Sequence, residues 1–314
     1  MPIRIGAGFS SQRTTWAALR EAALAAEAAG VDSLWTWDHL LADEGPPDQP
    51  ILEGWSILDA WAAVTTRPTL GLLVAANTFR NPGLTAKLAA TLDHVSGGRA
   101  VLGIGGGWLE REHEAFGIEF GSGFGERLDR LDEAVMLIRR LLDGEVVNHE
   151  GRFYAMQDAI VAPRPIQPRL PIVVGGRGRR KTLRIAARYA DEWNIWNELG
   201  SVELAIELSG VLDEHCRDVG RDPATISRSV SQEGIIRDDR DEARGVFEAA
   251  YRGNGLDPDA GVFALCGPPE MVADALRPLV EAGFSHLIWA SRTPYDRETI
   301  DRLAEVRELL GGAA

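Results

Sequence analysis

The chain has 314 residues, with 33 Lys+Arg against 47 Asp+Glu for a formal net charge of -14, a sign that excludes a surface drawn uniformly to nucleic acid or an anionic membrane. Hydrophobic residues at 45% and charged residues at 25% are those of an ordinary globular protein, which excludes disordered and fibrous classes. The length suits either a pair of domains or a single α/β barrel, and any phosphate the chain holds needs a local departure from its acidic average.

Ile3 to Phe9 reads as a strand, and Thr14 to Ala29 as a helix with Leu19, Ala23 and Ala26 on one face, closed by Gly30. Asp32 to Trp37 is a second strand, followed by a loop holding Gly45, Pro46, Pro47 and Pro50 and a helix over about Glu53 to Thr66. Thr69 to Ala75 is a third strand, Pro82 to Val95 a helix with Pro in its first turn, and Arg99 to Ile104 a fourth strand running into Gly105-Gly106-Gly107. Gly117 to Gly125 is a Gly-rich loop. Glu126 to Leu142 is a helix with Leu128, Leu131, Val135, Ile138 and Leu142 on one stripe, and Val146 to Tyr154 reads as an inserted hairpin. Pro171 to Val174 starts a fifth strand with a helix to Ala190, then come a strand at Glu192 to Trp196, a helix at Val202 to Asp218 and a strand near Ile226 to Ile236. A helix at Glu270 to Ala282, a strand at Ser285 to Ala290 and a helix at Asp296 to Leu310 complete the chain.

Strands alternating with helices, without a low-complexity linker, predict one α/β domain over 1–314, a single (β/α)8 TIM barrel with insertions near 41–54, 117–125 and 145–170. A doubly wound sheet would carry a nucleotide fingerprint in its first βα turn, and Gly8-Phe9-Ser10-Ser11 lacks it. Cys216 and Cys266 have no CxxC spacing, so they are expected as buried thiols in the cytoplasm. The opening Met1-Pro2-Ile3-Arg4-Ile5 enters a strand pattern at once, and no long apolar run follows, so neither secretion nor membrane spanning is expected.

Barrel enzymes keep their working residues at the C-terminal ends of strands. Asp38-His39 follows the second strand, either as a cap with a packed imidazole or as a hydrogen-bond acceptor beside a proton donor. The polar run Asn77-Thr78-Phe79-Arg80-Asn81-Pro82 opens a helix, which capping by Asn81 also explains. In Gly103-Ile104-Gly105-Gly106-Gly107-Trp108, Trp108 stands where a dinucleotide loop needs its third glycine, so that reading fails. The glycines offer either bare backbone for a flat ligand, with Trp108 as a wall, or a tight turn alone. Glu110 and His113 have the Glu-x-x-His spacing of di-iron proteins without a second copy, so no metal is expected and a solvated, charged helical turn is.

The fifth junction, Val173-Val174-Gly175-Gly176-Arg177-Gly178-Arg179-Arg180-Lys181, places backbone N–H groups and arginines at a helix start, a pattern that holds anions. Between Ala159 and Ala190 lie Arg164, Arg169, Arg177, Arg179, Arg180, Lys181, Arg184 and Arg188 with no acid. A solvated helix face accounts for Arg184 and Arg188, and a bound phosphate accounts for the Gly-rich cluster. Trp193-Asn194-Ile195-Trp196-Asn197 adds aromatic and amide groups at the same rim.

Taken in this order, Trp37-Asp38-His39, Thr78-Phe79-Arg80-Asn81-Pro82, Ser96-Gly97-Gly98-Arg99 with the following glycines, and Gly175-Gly176 leading to Ala190-Asp191-Glu192-Trp193-Asn194 carry a family pattern. Over nearly its whole length the chain resembles the bacterial luciferase-like flavin and deazaflavin superfamily, on its coenzyme F420-dependent branch. The resemblance implies coenzyme F420, or alternatively FMN, in the barrel mouth. Asp38 and His39 would lie beside its ring, Leu73 and Val74 under its face with a non-prolyl cis bond as in many relatives, and Asn77 close by. Gly105, Gly106 and Gly107 would meet the ring or ribityl chain, and Gly175, Gly176, Arg177, Gly178 and Arg179 the phosphate. The implied reaction is hydride transfer to or from a small organic substrate, with His39 as acid or base. Relatives that oxidise a sugar phosphate carry an acid where this chain has Trp108, which points to a more apolar substrate faced by Phe9, Trp37, Trp108 and Trp196. An FMN-dependent monooxygenase and a flavin-binding protein without turnover are the alternatives. The expected setting is a cytoplasmic homodimer that partners a small molecule, with no nucleic acid or membrane.

Overall fold

The computed structural model describes residues 2–43, 45–196, 200–258 and 263–311. Eight strands form its centre: β1 (Arg4–Phe9), β2 (Ser33–Thr36), β3 (Thr69–Leu72), β4 (Ala100–Gly105), β5 (Ile172–Gly175), β6 (Glu192–Trp196), β7 (Ser227–Ile236) and β8 (Phe284–Ser291). Each pairs in parallel with the next. The last returns to the first from Arg4 opposite His286 to Phe9 opposite Ser291. The sheet therefore closes, and the fold is the (β/α)8 barrel.

The surrounding helices are α1 (Trp16–Ala28), α2 (Gly54–Val64), α3 (Pro82–Ser96), α4 (Glu110–Phe116), α5 (Phe124–Leu142), α6 (Thr182–Tyr189), α7 (Val202–Asp218), α8 (Arg240–Gly253), α9 (Pro269–Glu281) and α10 (Arg297–Leu309). Their ends follow side-chain chemistry. Thr15 accepts from the Ala18 amide to start α1, and Asn81 caps α3 with Pro82 behind it. Gly97 ends α3 in the left-handed region at φ 69°. No helix among the described residues is long and apolar enough to cross a membrane.

Three elements escape the sequence pattern. Helix α8 buries only Ala243, Phe247 and Tyr251 amid charges, so its apolar stripe is thin. The strand Leu265–Gly267 is too short to signal itself. Helix α4 buries Glu112 and His113, polar residues that leave no apolar periodicity. The third strand ends at Leu72 instead of Ala75, the Leu73–Val74 peptide is cis, and the chain pairs again at Ala75–Ala76. The hairpin expected at Val146 to Tyr154 is longer, with Val147–Glu150 paired against Ala155–Ala159 beyond that bound.

Strand alternation divides the core. Ile5, Ala7, Phe9, Leu34, Leu70 and Leu102 face the helices, whereas Trp35, Val101, Val173 and Ile288 form a separate cluster. Near the strand starts lies a buried polar layer. His286 meets Glu192 at 2.9 Å through Nδ1 and Ser33 at 2.8 Å through Nε2, Trp35 Nε1 donates to Ser33 Oγ at 2.7 Å, and Arg4 pairs with the other Glu192 oxygen. Burial alone would raise the Glu192 carboxyl, but His286 and Arg4 bring it down to about 2.

The backbone around residues 72–74 fits only because its neighbours lack side chains. A Cβ on Gly103 would stand 1.9 Å from the Leu72 carbonyl oxygen, and Cβ atoms on Gly105 and Gly175 would stand 2.7 and 2.8 Å from the Val74 methyls. Gly103→Ala should therefore destabilise the protein by about 3 kcal/mol or more in urea unfolding. Gly210→Ala, in the middle of α7 with nothing within 4 Å, should instead gain roughly 0.5–1 kcal/mol. Equal stabilities would show that the strands shift freely. The Glu192 carboxyl, depressed from an ordinary 4.5 when folded, contributes stability that is present above 4.5 and lost as pH falls towards 2. Glu192→Gln should be less stable at neutral pH and flatter across that window, and unfolding curves parallel to those of the unsubstituted chain would remove Glu192 from the acid response.

Candidate active site

At the C-terminal ends of the strands lies a cleft of about 670 Å³. Its lining comes from the segments after β2, β3, β4 and β5, the end of β6 and the residue after β8, so the closure of the barrel is what assembles it. Trp37, Trp108 and Trp196 line it, with Phe124 and Leu128 from α5.

His39 sits where β2 gives way to its loop. Its Nδ1 lies 3.1 and 3.2 Å from the two Glu112 oxygens, and Trp108 meets its ring edge-on at 5.6 Å. Burial would push the imidazole down, but the hydrogen bond and charge of Glu112, with Asp43 and Asp38 adding, carry it above its ordinary value. Glu112 also accepts the Leu40 amide at 2.9 Å. The helix carrying it is tied down on both sides. Arg111 donates to the Ala42 carbonyl, and His113 bridges the Leu109 carbonyl at 2.8 Å and Thr78 Oγ1 at 2.7 Å. Glu112 and His113 are 1% and 0% exposed, which corrects the expectation of a solvated turn there.

Asp38 borders the cleft, but its oxygens are used within the protein. Arg80 grips it with a fork at 2.6 and 2.9 Å, and the Ala76 amide donates at 2.9 Å. Burial pushes this carboxyl up and the Arg80 fork opposes it. The hydrogen-bond acceptor expected here thus ties the ends of the second and third strands together.

Leu73 and Val74 form one wall, and Gly105, Gly106 and Gly107 face the same space. Opposite them come Gly175, Gly176, Arg177 and Gly178, with Thr182 at the first turn of α6. No side chain caps α6, although the Leu183 amide in its first turn donates to the Gly178 carbonyl at 3.1 Å.

Three expected residues fall elsewhere. Phe9 is fully buried on the helix-facing side of β1, edge-on to Trp61 and Tyr295, because alternation turns Gly8 inward. Arg179 leaves the cleft to pair with Glu207 of α7 at 2.6 Å. Asn77 is buried behind the wall, where its Nδ2 donates to Tyr154 Oη at 3.1 Å. Asn197 lies outside the described residues. The basic segment is also less free than its sequence suggests, since Arg169, Lys181 and Arg188 pair with Asp191, Asp129 and Asp132. Sequence reasoning missed Glu112, Asp43, Thr182 and Arg292 as lining residues. Position after a barrel strand was an available signal for Arg292. None marked Glu112, whose partner is distant in the chain.

The sequence model of the luciferase-like monooxygenase family matches residues 1–262. An F420-dependent glucose-6-phosphate dehydrogenase from Kineococcus radiotolerans is 31% identical over 320 aligned residues, covering 92% of this chain and 91% of that protein. A phthiodiolone/phenolphthiodiolone dimycocerosates ketoreductase from a Mycobacterium species is 35% identical over 78% of this chain and 68% of its own length. The fold is also that of an F420-dependent secondary alcohol dehydrogenase solved with an F420-acetone adduct, with a TM-score of 0.82 at 21% identity over 99% of both chains. With the closed barrel, the cleft at its C-terminal mouth and a family match over most of its length, the chain belongs to the luciferase-like monooxygenase family.

Proposed function

We propose that this protein is an oxidoreductase that moves a hydride between coenzyme F420 and a small, largely apolar organic substrate. One observation carries the reading: a single cleft joins a proton-handling imidazole, an apolar wall and an uncapped helix start. A ring system with a phosphorylated tail needs flat support, backbone without side chains and an anion site. Leu73 and Val74 suit the first need, Gly105 to Gly107 the second, and Gly176, Arg177, Gly178 and Thr182 the third. The named F420 dependence of relatives covering most of the chain supports the choice of cofactor. When bound, that cofactor supplies the acceptor or donor of hydride.

The chain's own part is binding, orientation and proton transfer. His39 takes the proton that leaves the substrate as its carbon loses hydride, or returns it in the reverse direction. Trp37, Trp108 and Trp196 exclude water from the substrate side and favour apolar groups. Arg292, the residue after β8, also lines the cleft and pairs with Glu233 at 3.3 Å. The setting we propose is a cytoplasmic homodimer, supported by the buried thiols of Cys216 and Cys266 and by the exposed Leu84, Val95, Ile160 and Ile166 around α3.

Titration with F420 and, separately, FMN, followed by fluorescence, should give saturable F420 binding. Tight FMN binding with flavin-dependent oxygen uptake and no F420 binding would establish the monooxygenase reading instead. His39→Asn should keep the cofactor and lose roughly 10²- to 10⁴-fold in rate. An unchanged rate would remove His39 from proton transfer, and no rate in the unsubstituted protein with any cofactor bound would reduce it to a binder without turnover. Arg177→Ala, in the cleft lining, should weaken cofactor binding about tenfold or more, while Arg179→Ala, outside that lining and turned to Glu207, should leave it nearly unchanged. Equal effects would place the anion site elsewhere.

A further inference from the structure

An imidazole that moves one proton at a defined atom must present one nitrogen and keep its resident proton on the other. The surroundings of His39 meet both conditions. Glu112 is almost fully buried, and its Oε2 accepts the Leu40 amide at 2.9 Å while both oxygens approach His39 Nδ1 at 3.1 and 3.2 Å. A carboxylate only accepts hydrogen bonds, so the proton between the two groups belongs to Nδ1. Nε2, across the ring, makes no hydrogen bond to any described residue and carries the free lone pair in the cleft wall.

The ring is held as well as protonated. Trp108 stands edge-on to it with an interplanar angle of 83°, and Glu112 is fixed because Arg111 and His113 anchor its helix on both sides. The other charges facing this imidazole are Asp43 on its own loop and Asp38, whose charge is shared with Arg80. Arg177 and Arg292 border the same cleft.

We propose that Glu112 is the positioning residue of the site, fixing His39 as the Nδ1–H tautomer and stabilising the imidazolium formed when Nε2 accepts a proton. The proton-transfer half of this statement rests on the oxidoreductase reading, whereas the tautomer and titration of His39 do not. With F420 bound as the hydride acceptor, a substrate oxidised at carbon would release the matching proton from its oxygen or nitrogen to Nε2. The Nδ1 proton stays between His39 and Glu112 throughout. Burial opposes a charged imidazole here, and Glu112 is the main group that overcomes it. Loss of its charge should therefore lower the pH at which His39 releases its proton.

The test labels the six histidines with ¹⁵N and identifies His39 as the signal missing from His39→Asn. In the cofactor-free protein, the ring nitrogens should report the Nδ1–H tautomer at high pH. In Glu112→Gln the His39 midpoint should move to lower pH, and Glu112→Asp should recover part of the shift. With F420 and a turned-over substrate, Glu112→Gln should lose kcat roughly 100-fold with cofactor affinity unchanged, and the limb of the pH profile set by His39 should move with the midpoint. An Nε2–H tautomer in the unsubstituted protein, or an unmoved midpoint in Glu112→Gln, overturns the proposal. If Glu112→Gln does not fold, the tautomer of the unsubstituted protein and the midpoint in Glu112→Asp still decide. Failure of F420 to bind while His39 behaves as described removes the F420-dependent reading and leaves the positioning role standing.

Discussion

The cleft depends on a place where three strands come together too closely for side chains. The chain after β3 turns through Leu73 and Val74, and the only residues that fit against it from β4 and β5 are Gly103, Gly105 and Gly175. Steric repulsion at 1.9 Å is far beyond what a folded core absorbs, so this contact fixes the composition of two neighbouring strands. The glycines read in the sequence as bare backbone for a ligand therefore serve the protein first. Their second consequence is the open floor left between the Val74 wall and the start of α6.

The buried carboxylates at the two ends of this barrel are accompanied. Asp38 is gripped by Arg80, Glu112 by His39 and the Leu40 amide, and Glu192 by His286 and Arg4. A buried charge without such partners would cost several kcal/mol, and removing one member of a pair leaves the other exposed to that cost. These pairs also do different things. Asp38–Arg80 joins the ends of β2 and β3, and Glu192–His286 fills the barrel near its base. Glu112–His39 lies in the wall of the cleft and sets the state of a group that faces it. Helix α4 makes the last pair possible, because consecutive residues of one short helix reach the loop after β2, His39 and the start of the segment before α3.

The acidic balance of the chain takes on a local meaning in the fold. The run of basic residues before and within α6 is answered by Asp129 and Asp132 of α5, Glu207 of α7 and Asp191 just ahead of β6. Pairing of this kind turns most of a basic segment into structure. What lines the cleft from this segment is narrower than the sequence suggested: the Gly175 to Gly178 turn with Arg177 in it, and Thr182.

The barrel was legible because each βα step carries a local signal, a short apolar run followed by a capped 3.6-residue periodicity, and Asn81-Pro82 and Gly97 mark boundaries by their own backbone chemistry. Asp38, His39, the glycine clusters and Trp108 were legible because their position after a strand implies the mouth of a barrel. Alternation alone could not tell Phe9 from its neighbours at a strand end, since facing in or out is decided by which helix packs on the strand. Nor could spacing find Glu112, whose carboxylate meets an imidazole 73 positions away. The sequence by itself determined the repeating elements and the residues at their ends, which follow from local backbone preference and periodicity. Closure of the barrel decided which of those ends share a cleft, which arginines are spent on acids and which nitrogen of His39 is held, because contact across the fold depends on packing between distant segments.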